Sequence, residues 1–144
     1  MQPEETSVPP EDTPVALNAN NGKKVLCIED EHFISELYER ALTRAGYQVN
    51  TVVDGIAGLA EAKTNQYDII LLDIMLPNMG GLEILHELRD PTKTPELKAK
   101  VIITTNLDQG EEGRAAVENR ADGYIVKAEA TPKQIVDFLQ QLDV

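Results

Sequence analysis

Asp73 is the residue whose setting most invites chemistry. It closes the run Asp68-Ile69-Ile70-Leu71-Leu72-Asp73, whose four consecutive aliphatic residues mark a strand buried on both faces. Pro77-Asn78-Met79-Gly80-Gly81 follows as a turn, with proline fixing φ and glycine admitting positive φ. Three other apolar runs also end on reactive side chains: Val25–Ile28 on Glu29-Asp30, Val101–Ile103 on Thr104-Thr105, and Tyr124-Ile125-Val126 on Lys127. If the fold brings these ends together, the carboxylates need a cation or protons to neutralise them. Hard oxygen donors with no histidine or thiolate cluster favour magnesium, in an open site that keeps several waters. A carboxylate nucleophile, a divalent ion, a hydroxyl and an ammonium form an apparatus for receiving a phosphoryl group, the cations neutralising its equatorial oxygens while Asp73 attacks in line.

The elements that must position these residues alternate along the chain. Strands are expected at Lys24–Ile28, Gln48–Val53, Asp68–Asp73, Lys100–Thr105 and Tyr124–Lys127. Helices are expected between and after them. Glu31–Ala45 carries Phe33, Ile34, Leu37, Tyr38, Ala41, Leu42 and Ala45 at helical spacing and stops at Gly46, a C′ glycine. Ile56–Lys63, Gly81–Arg89 and Glu111–Asn119 supply three more, and Thr131 caps a last one that Pro132 starts and Leu142 ends. Five βα units in a row predict an α/β doubly wound parallel sheet with right-handed crossovers and the flavodoxin-like strand order 2-1-3-4-5. In that order the first and third strands are neighbours, so Glu29, Asp30 and Asp73 meet in one shallow cleft.

Composition narrows the partners. The chain has 144 residues, enough for one domain with its own core. Its net charge of −12 repels nucleic acid and anionic membranes and leaves protein partners or a cation. Residues 1–22 hold Pro3, Pro9, Pro10 and Pro14, four acidic residues and no basic one; they read as a disordered, acidic, proline-rich tail ahead of a domain at 23–144. No signal peptide or bilayer-spanning run is evident. The single cysteine, Cys27, lies inside an apolar run and reads as a small buried thiol, which fits a reducing, cytoplasmic compartment.

Residues 23–144 resemble the receiver domain of two-component response regulators, chemotaxis-regulator-like single-domain members included. The matching elements are Val25-Leu26-Cys27-Ile28-Glu29-Asp30-Glu31, Leu71 through Gly81, Thr105, and Ala121-Asp122-Gly123-Tyr124-Ile125-Val126-Lys127. The resemblance implies that Asp73 accepts phosphate from a histidine kinase or histidine phosphotransfer protein. Asp30 and Asp73 would bind Mg2+ directly, Glu29 through water, and the Met75 carbonyl would complete the protein ligands. Lys127 would bridge to the phosphoryl group. Thr105, which has the family's spacing to Lys127, and Tyr124 would form a switch acting on a downstream protein through the face made by 111–119, the fifth strand and the last helix. Such a chain is not an enzyme beyond accepting and slowly losing its phosphoryl group. Met75 and Leu107, two residues after Asp73 and Thr105, are apolar and cannot orient an attacking water.

Departures from the family pattern are few. Ala128 follows Lys127 where the family has a proline after a cis bond, and a cis bond before alanine costs about 3 kcal/mol. Arg120 replaces a common glycine, Lys100 a common proline, and 90–99 is slightly long. The box His86-Glu87-Leu88-Arg89-Asp90-Pro91 mimics a kinase phosphodonor segment, but without an ATP-binding domain His86 reads as a surface residue; His32 reads as a bystander at a helix start, and Glu111-Glu112 as a solvated first turn. Two rival functions stand beside the phosphoacceptor. A phosphotransferase of the haloacid dehalogenase type wants a second aspartate where Met75 stands, and a receiver-fold module that is never phosphorylated has no need of Asp30, Asp73, Thr105 and Lys127 together. The last helix runs close to Val144, leaving a receiver that acts by protein contact, alone or as a piece of a longer chain, as a monomer or a phosphorylation-dependent dimer.

Overall fold

The computed structural model describes residues 21–94, 97–106 and 120–144. Most of the acidic tail, Leu107, Glu111-Glu112 and the helix expected at 111–119 lie outside the described residues. The strands are β1 Lys24–Ile28, β2 Gln48–Val52, β3 Ile69–Asp73, β4 Lys100–Thr105 and β5 Gly123–Val126. All pair in parallel, in the spatial order β2-β1-β3-β4-β5, which is the expected flavodoxin-like order. The described helices are α1 His32–Arg44, α2 Gly55–Ala62, α3 Gly81–Arg89 and α4 Pro132–Gln140.

Strand alternation divides the core into two layers. Leu26, Ile28, Ile70, Leu72, Val101 and Ile103 pack with Ile84, Leu85 and Leu88 of α3 and with Ala62 of α2. Their neighbours Val25, Cys27, Ile69, Leu71, Ile102 and Ile125 point the other way, onto Tyr38 and Leu42 of α1 and Ile135, Val136 and Leu139 of α4. Every residue of β3 is buried, as a strand covered by helices on both faces requires. Truncating Leu71 or Leu72 to alanine would therefore cost about 2–5 kcal/mol.

Local chemistry sets the element ends. After α1, Gly46 (φ 101) donates its N–H to the Thr43 carbonyl while Tyr47 donates to Leu42, a Schellman stop that uses the left-handed freedom of glycine. Asp54 caps α2 by accepting from the Ala57 N–H at 3.0 Å. Thr131 and Gln134 form a reciprocal capping box at α4, with Pro132 in its first turn.

Three expectations need correction. Phe33 is 71% exposed, whereas Ser35 is buried; nine residues at ~100° each put Phe33 about half a turn around α1 from the buried Leu42. The fifth strand ends at Val126, and Lys127 opens a single 3-10 turn, Lys127–Glu129. In the turn after Asp73 the left-handed residue is Asn78 (φ 72), and neither Gly80 nor Gly81 has positive φ. Asparagine tolerates that region through local hydrogen bonding. Gly81 is required for closeness instead, since a Cβ there would overlap the Asp73 carbonyl oxygen. The Lys127–Ala128 bond is trans.

Candidate functional site

The β1–α1, β2–α2 and β3–α3 loops leave adjacent strands at the carboxyl edge and brace one another. The Glu29 N–H donates to the Val52 carbonyl and the Gly55 N–H to the Pro77 carbonyl, and a Cβ on Gly55 would run into the Met79 backbone. The Gly81 N–H donates back to Ile74, so α3 starts hard against the end of β3. This bracing holds ligand atoms of Glu29, Asp30 and Asp73 within 4.8 Å of one another. Glu29 and Asp73 are 1% and 2% exposed, while Asp30 is open to solvent.

Lys127 reaches the same point from the end of β5. Its Nζ lies 2.7 Å from Glu29 Oε1 and 3.4 Å from Asp73 Oδ1. Glu29 Oε2 accepts from the Glu31 N–H at 3.1 Å, and Asp73 Oδ1 accepts from the Met75 N–H at 3.2 Å. One ammonium is thus set against two buried carboxylates and a third at the rim. Burial, and then the charge of Glu29, push the Asp73 carboxyl up to about 7, although Lys127 and the Met75 N–H pull it down. Burial acts to lower the Lys127 ammonium, but its hydrogen bond to Glu29 and the charges of both carboxylates outweigh this and raise it. Cys27, beneath the cluster, is pushed up to about 12, first by burial and then by Glu29; a thiol so held is inert at neutral pH. The same two causes raise the Tyr38 phenol.

The donor set fits a magnesium ion. It consists of hard oxygens, carries more negative charge than the Lys127 ammonium balances, and is open on the Asp30 side. Neither histidine belongs to the cluster, and both His32 and His86 are exposed. Thr104 is in register with Asp73, and Thr105 stands one residue further toward the carboxyl edge, across from Val126; both threonines are buried. Tyr124 is half-buried beside the core layer of α3 and lines a groove of about 290 Å3 with Glu129, Gln134 and Phe138. The Met75 side chain is 66% exposed. What the sequence reading missed is the strength of the Glu29–Lys127 pair. The one available signal was the residue type, since a glutamate reaches further from the end of β1 than an aspartate.

The comparisons with known proteins agree with this geometry. The response regulator receiver domain family matches residues 25–140. The response regulator ArlR of Staphylococcus saprophyticus is 40% identical over 104 residues, which is 72% of this chain and 45% of that protein. The Staphylococcus aureus ArlR is 38% identical over the same shares. The chain thus spans less than half the length of these curated relatives. Among solved structures, the chemotaxis response regulator CheY4 of Vibrio cholerae superposes with a TM-score of 0.73 at 28% identity, over 83% of this chain and 97% of that one. The Francisella response regulator 1452 receiver domain gives 0.73 at 25% identity, over 82% and 93%. The chain belongs to the response regulator receiver domain family of two-component systems.

Proposed function

We propose that Asp73 is the phosphoacceptor, taking a phosphoryl group from a histidine kinase or histidine phosphotransfer protein and relaying the change to a downstream protein. The observation that carries this reading is the meeting of Asp73 with Glu29, Asp30 and Lys127 at the closed end of β3. An Asp73 carboxylate oxygen attacks phosphorus, the bond from phosphorus to the donor histidine nitrogen breaks, and that nitrogen keeps the electron pair. Asp30, Asp73 and the Met75 carbonyl would hold magnesium. Bound there, the ion supplies positive charge that the phosphoryl oxygens need in the transition state. Lys127 brings its ammonium onto one of those oxygens. Thr105 donates its hydroxyl to another and, in moving, makes room for Tyr124 to swing inward, which alters the face formed by β5 and α4.

Incubation with magnesium and acetyl phosphate tests the assignment, with acetate as the leaving group. The intact protein should gain the mass of one phosphoryl group and Asp73→Asn should gain none. Full labelling of that variant would remove Asp73 from the role. Loss of the label should be slow in the purified protein, because Met75 cannot hold a water in line with phosphorus; Leu107, its expected partner in this, lies outside the described residues. Met75→Asn should hasten the loss, and an unchanged decay would refute this account of its timing.

A further inference from the structure

Glu29 has both of its oxygens committed inside the protein. Oε1 accepts from Lys127 Nζ at 2.7 Å and Oε2 from the Glu31 N–H at 3.1 Å, with the side chain 1% exposed. Asp73 is the second partner of the same ammonium, at 3.4 Å, and its Oδ1 is shared with the Met75 N–H. A buried ammonium binds most strongly where its hydrogen bond is short and charge-assisted, so the 2.7 Å contact dominates over the 3.4 Å one. The lysine enters from a 3-10 turn whose first residue it is, while Glu29 is tied down by its own N–H to Val52 and its carboxylate to Glu31. The fixed member of the pair is therefore the glutamate.

We infer that Glu29 is a positioning residue that seats Lys127 beside Asp73 in the resting protein and keeps the ammonium from closing onto it. Resting on the reading of Asp73 as acceptor, this assigns Glu29 a task distinct from holding metal through water. With the seat in place, the Asp73 carboxylate is not capped by the ammonium, and Lys127 waits one short displacement from where the phosphoryl oxygens arrive. Without it, Lys127 falls onto the one remaining buried carboxylate, masking the nucleophile and competing with any cation for it. An aspartate at position 29 retains the charge but ends about 1.5 Å short, so it provides charge without the seat.

The metal-free protein tests the seat directly. In nitrogen-15 NMR of the lysine ammonium groups, with Lys127 assigned by the signal lost in Lys127→Met, Glu29→Gln and Glu29→Asp should each shift the Lys127 signal more than Asp73→Asn does. A larger shift from Asp73→Asn would overturn the inference, and this readout needs neither metal nor phosphoryl transfer, so it stands even if Asp73 is not the acceptor. A double-mutant cycle on the acetyl phosphate reaction supplies the functional arm. Glu29→Gln should slow labelling about tenfold in the presence of Lys127 and less than about twofold in the Lys127→Met background, because the coupling runs through the lysine. Equal slowing in both backgrounds would show that Glu29 acts through the cation alone. Both exchanges at Glu29 are small, and should Glu29→Gln fail to fold, Glu29→Asp carries the same pair of measurements.

Discussion

At the amino edge of the sheet, the two acidic side chains that precede strands are each matched to a backbone donor and a cation. Asp68 accepts the Lys24 N–H at 2.9 Å and has Lys98 Nζ at 3.8 Å. Asp122 accepts the Val101 N–H at 2.8 Å and a 2.7 Å bond from Arg89. At the carboxyl edge, Glu29, Asp30 and Asp73 gather around Lys127, the one cation among the described residues paired with this cluster. The same residue type thus serves opposite ends. Aspartates at the amino edge tie strand starts together and are satisfied as they stand, whereas Asp73 is left with a charge that its surroundings oppose. Unbalanced negative charge held in a braced cleft is what a cation or a proton can relieve, and that sets the carboxyl edge apart from the satisfied amino edge.

Neutralising one aspartate at each edge should break the comparison most visibly. Asp122→Ala leaves the Val101 N–H without its acceptor and Arg89 without its partner, and should cost about 2 kcal/mol of stability while acetyl phosphate labelling continues. Asp73→Asn should do the reverse, raising the stability of the metal-free protein by relieving repulsion with Glu29 while abolishing labelling. Chemical denaturation of both variants beside the parent measures the pair. Two destabilised variants would show that Asp73 is as structurally satisfied as Asp122.

Magnesium should act on the carboxyl edge alone. An ion that binds only the folded cluster stabilises by about 1.4 kcal/mol at roughly tenfold over its dissociation constant, a rise of several degrees in Tm for a domain of this size. The rise should shrink in Asp30→Ala and persist in Asp122→Ala. An equal rise in all three proteins would place the ion elsewhere.

Most of this division was legible in the sequence. Apolar runs that end on Glu29-Asp30, Asp73 and Lys127 located the strands and the meeting of these side chains together, because a parallel sheet gathers its strand ends at one edge. The reading was weaker where the outcome depended on the angle or reach of one side chain. Phe33 shares the apolar character of α1 but falls on its outer face. Asn78 took the left-handed position, and Gly81 serves close approach to the Asp73 carbonyl instead. The partner of Lys127 was decided by a difference between 2.7 and 3.4 Å, which no spacing pattern encodes.

A pH-dependent effect follows from the raised carboxyl of Asp73. Its ordinary value is 3.8 and the folded protein holds it at about 7, so between those values the native state carries a proton that the unfolded chain has released. Stability from this group is therefore complete at low pH and is lost as pH rises toward 7, with a slope that approaches about 1.4 kcal/mol per pH unit. Other carboxylates work in the opposite sense, so the useful quantity is the difference between parent and Asp73→Asn across that window. Their stabilities should diverge as pH rises, in favour of the variant, and parallel curves would mean that Asp73 is not held protonated. Bound magnesium favours the ionised form, so its affinity should increase over the same range.

The smallest effect sharpens the account of the amino edge. Arg120 has φ 66, a conformation that costs a residue with a Cβ about 1 kcal/mol. Two reciprocal bonds hold it there: its guanidinium donates to the Arg89 carbonyl at 2.7 Å, and Arg89 Nε donates to the Arg120 carbonyl at 3.0 Å. Arg120→Ala keeps the strained backbone and loses the first bond, so it should destabilise by about 1 kcal/mol. Arg120→Gly loses the same bond but relieves the strain, partly offset by the greater freedom of glycine in the unfolded chain, and should fall within about 0.5 kcal/mol of the parent. If glycine proves as damaging as alanine, the side-chain bond outweighs the backbone conformation; if alanine is harmless, neither the strain nor the bond matters to stability and the latch at this edge reduces to Arg89 and Asp122.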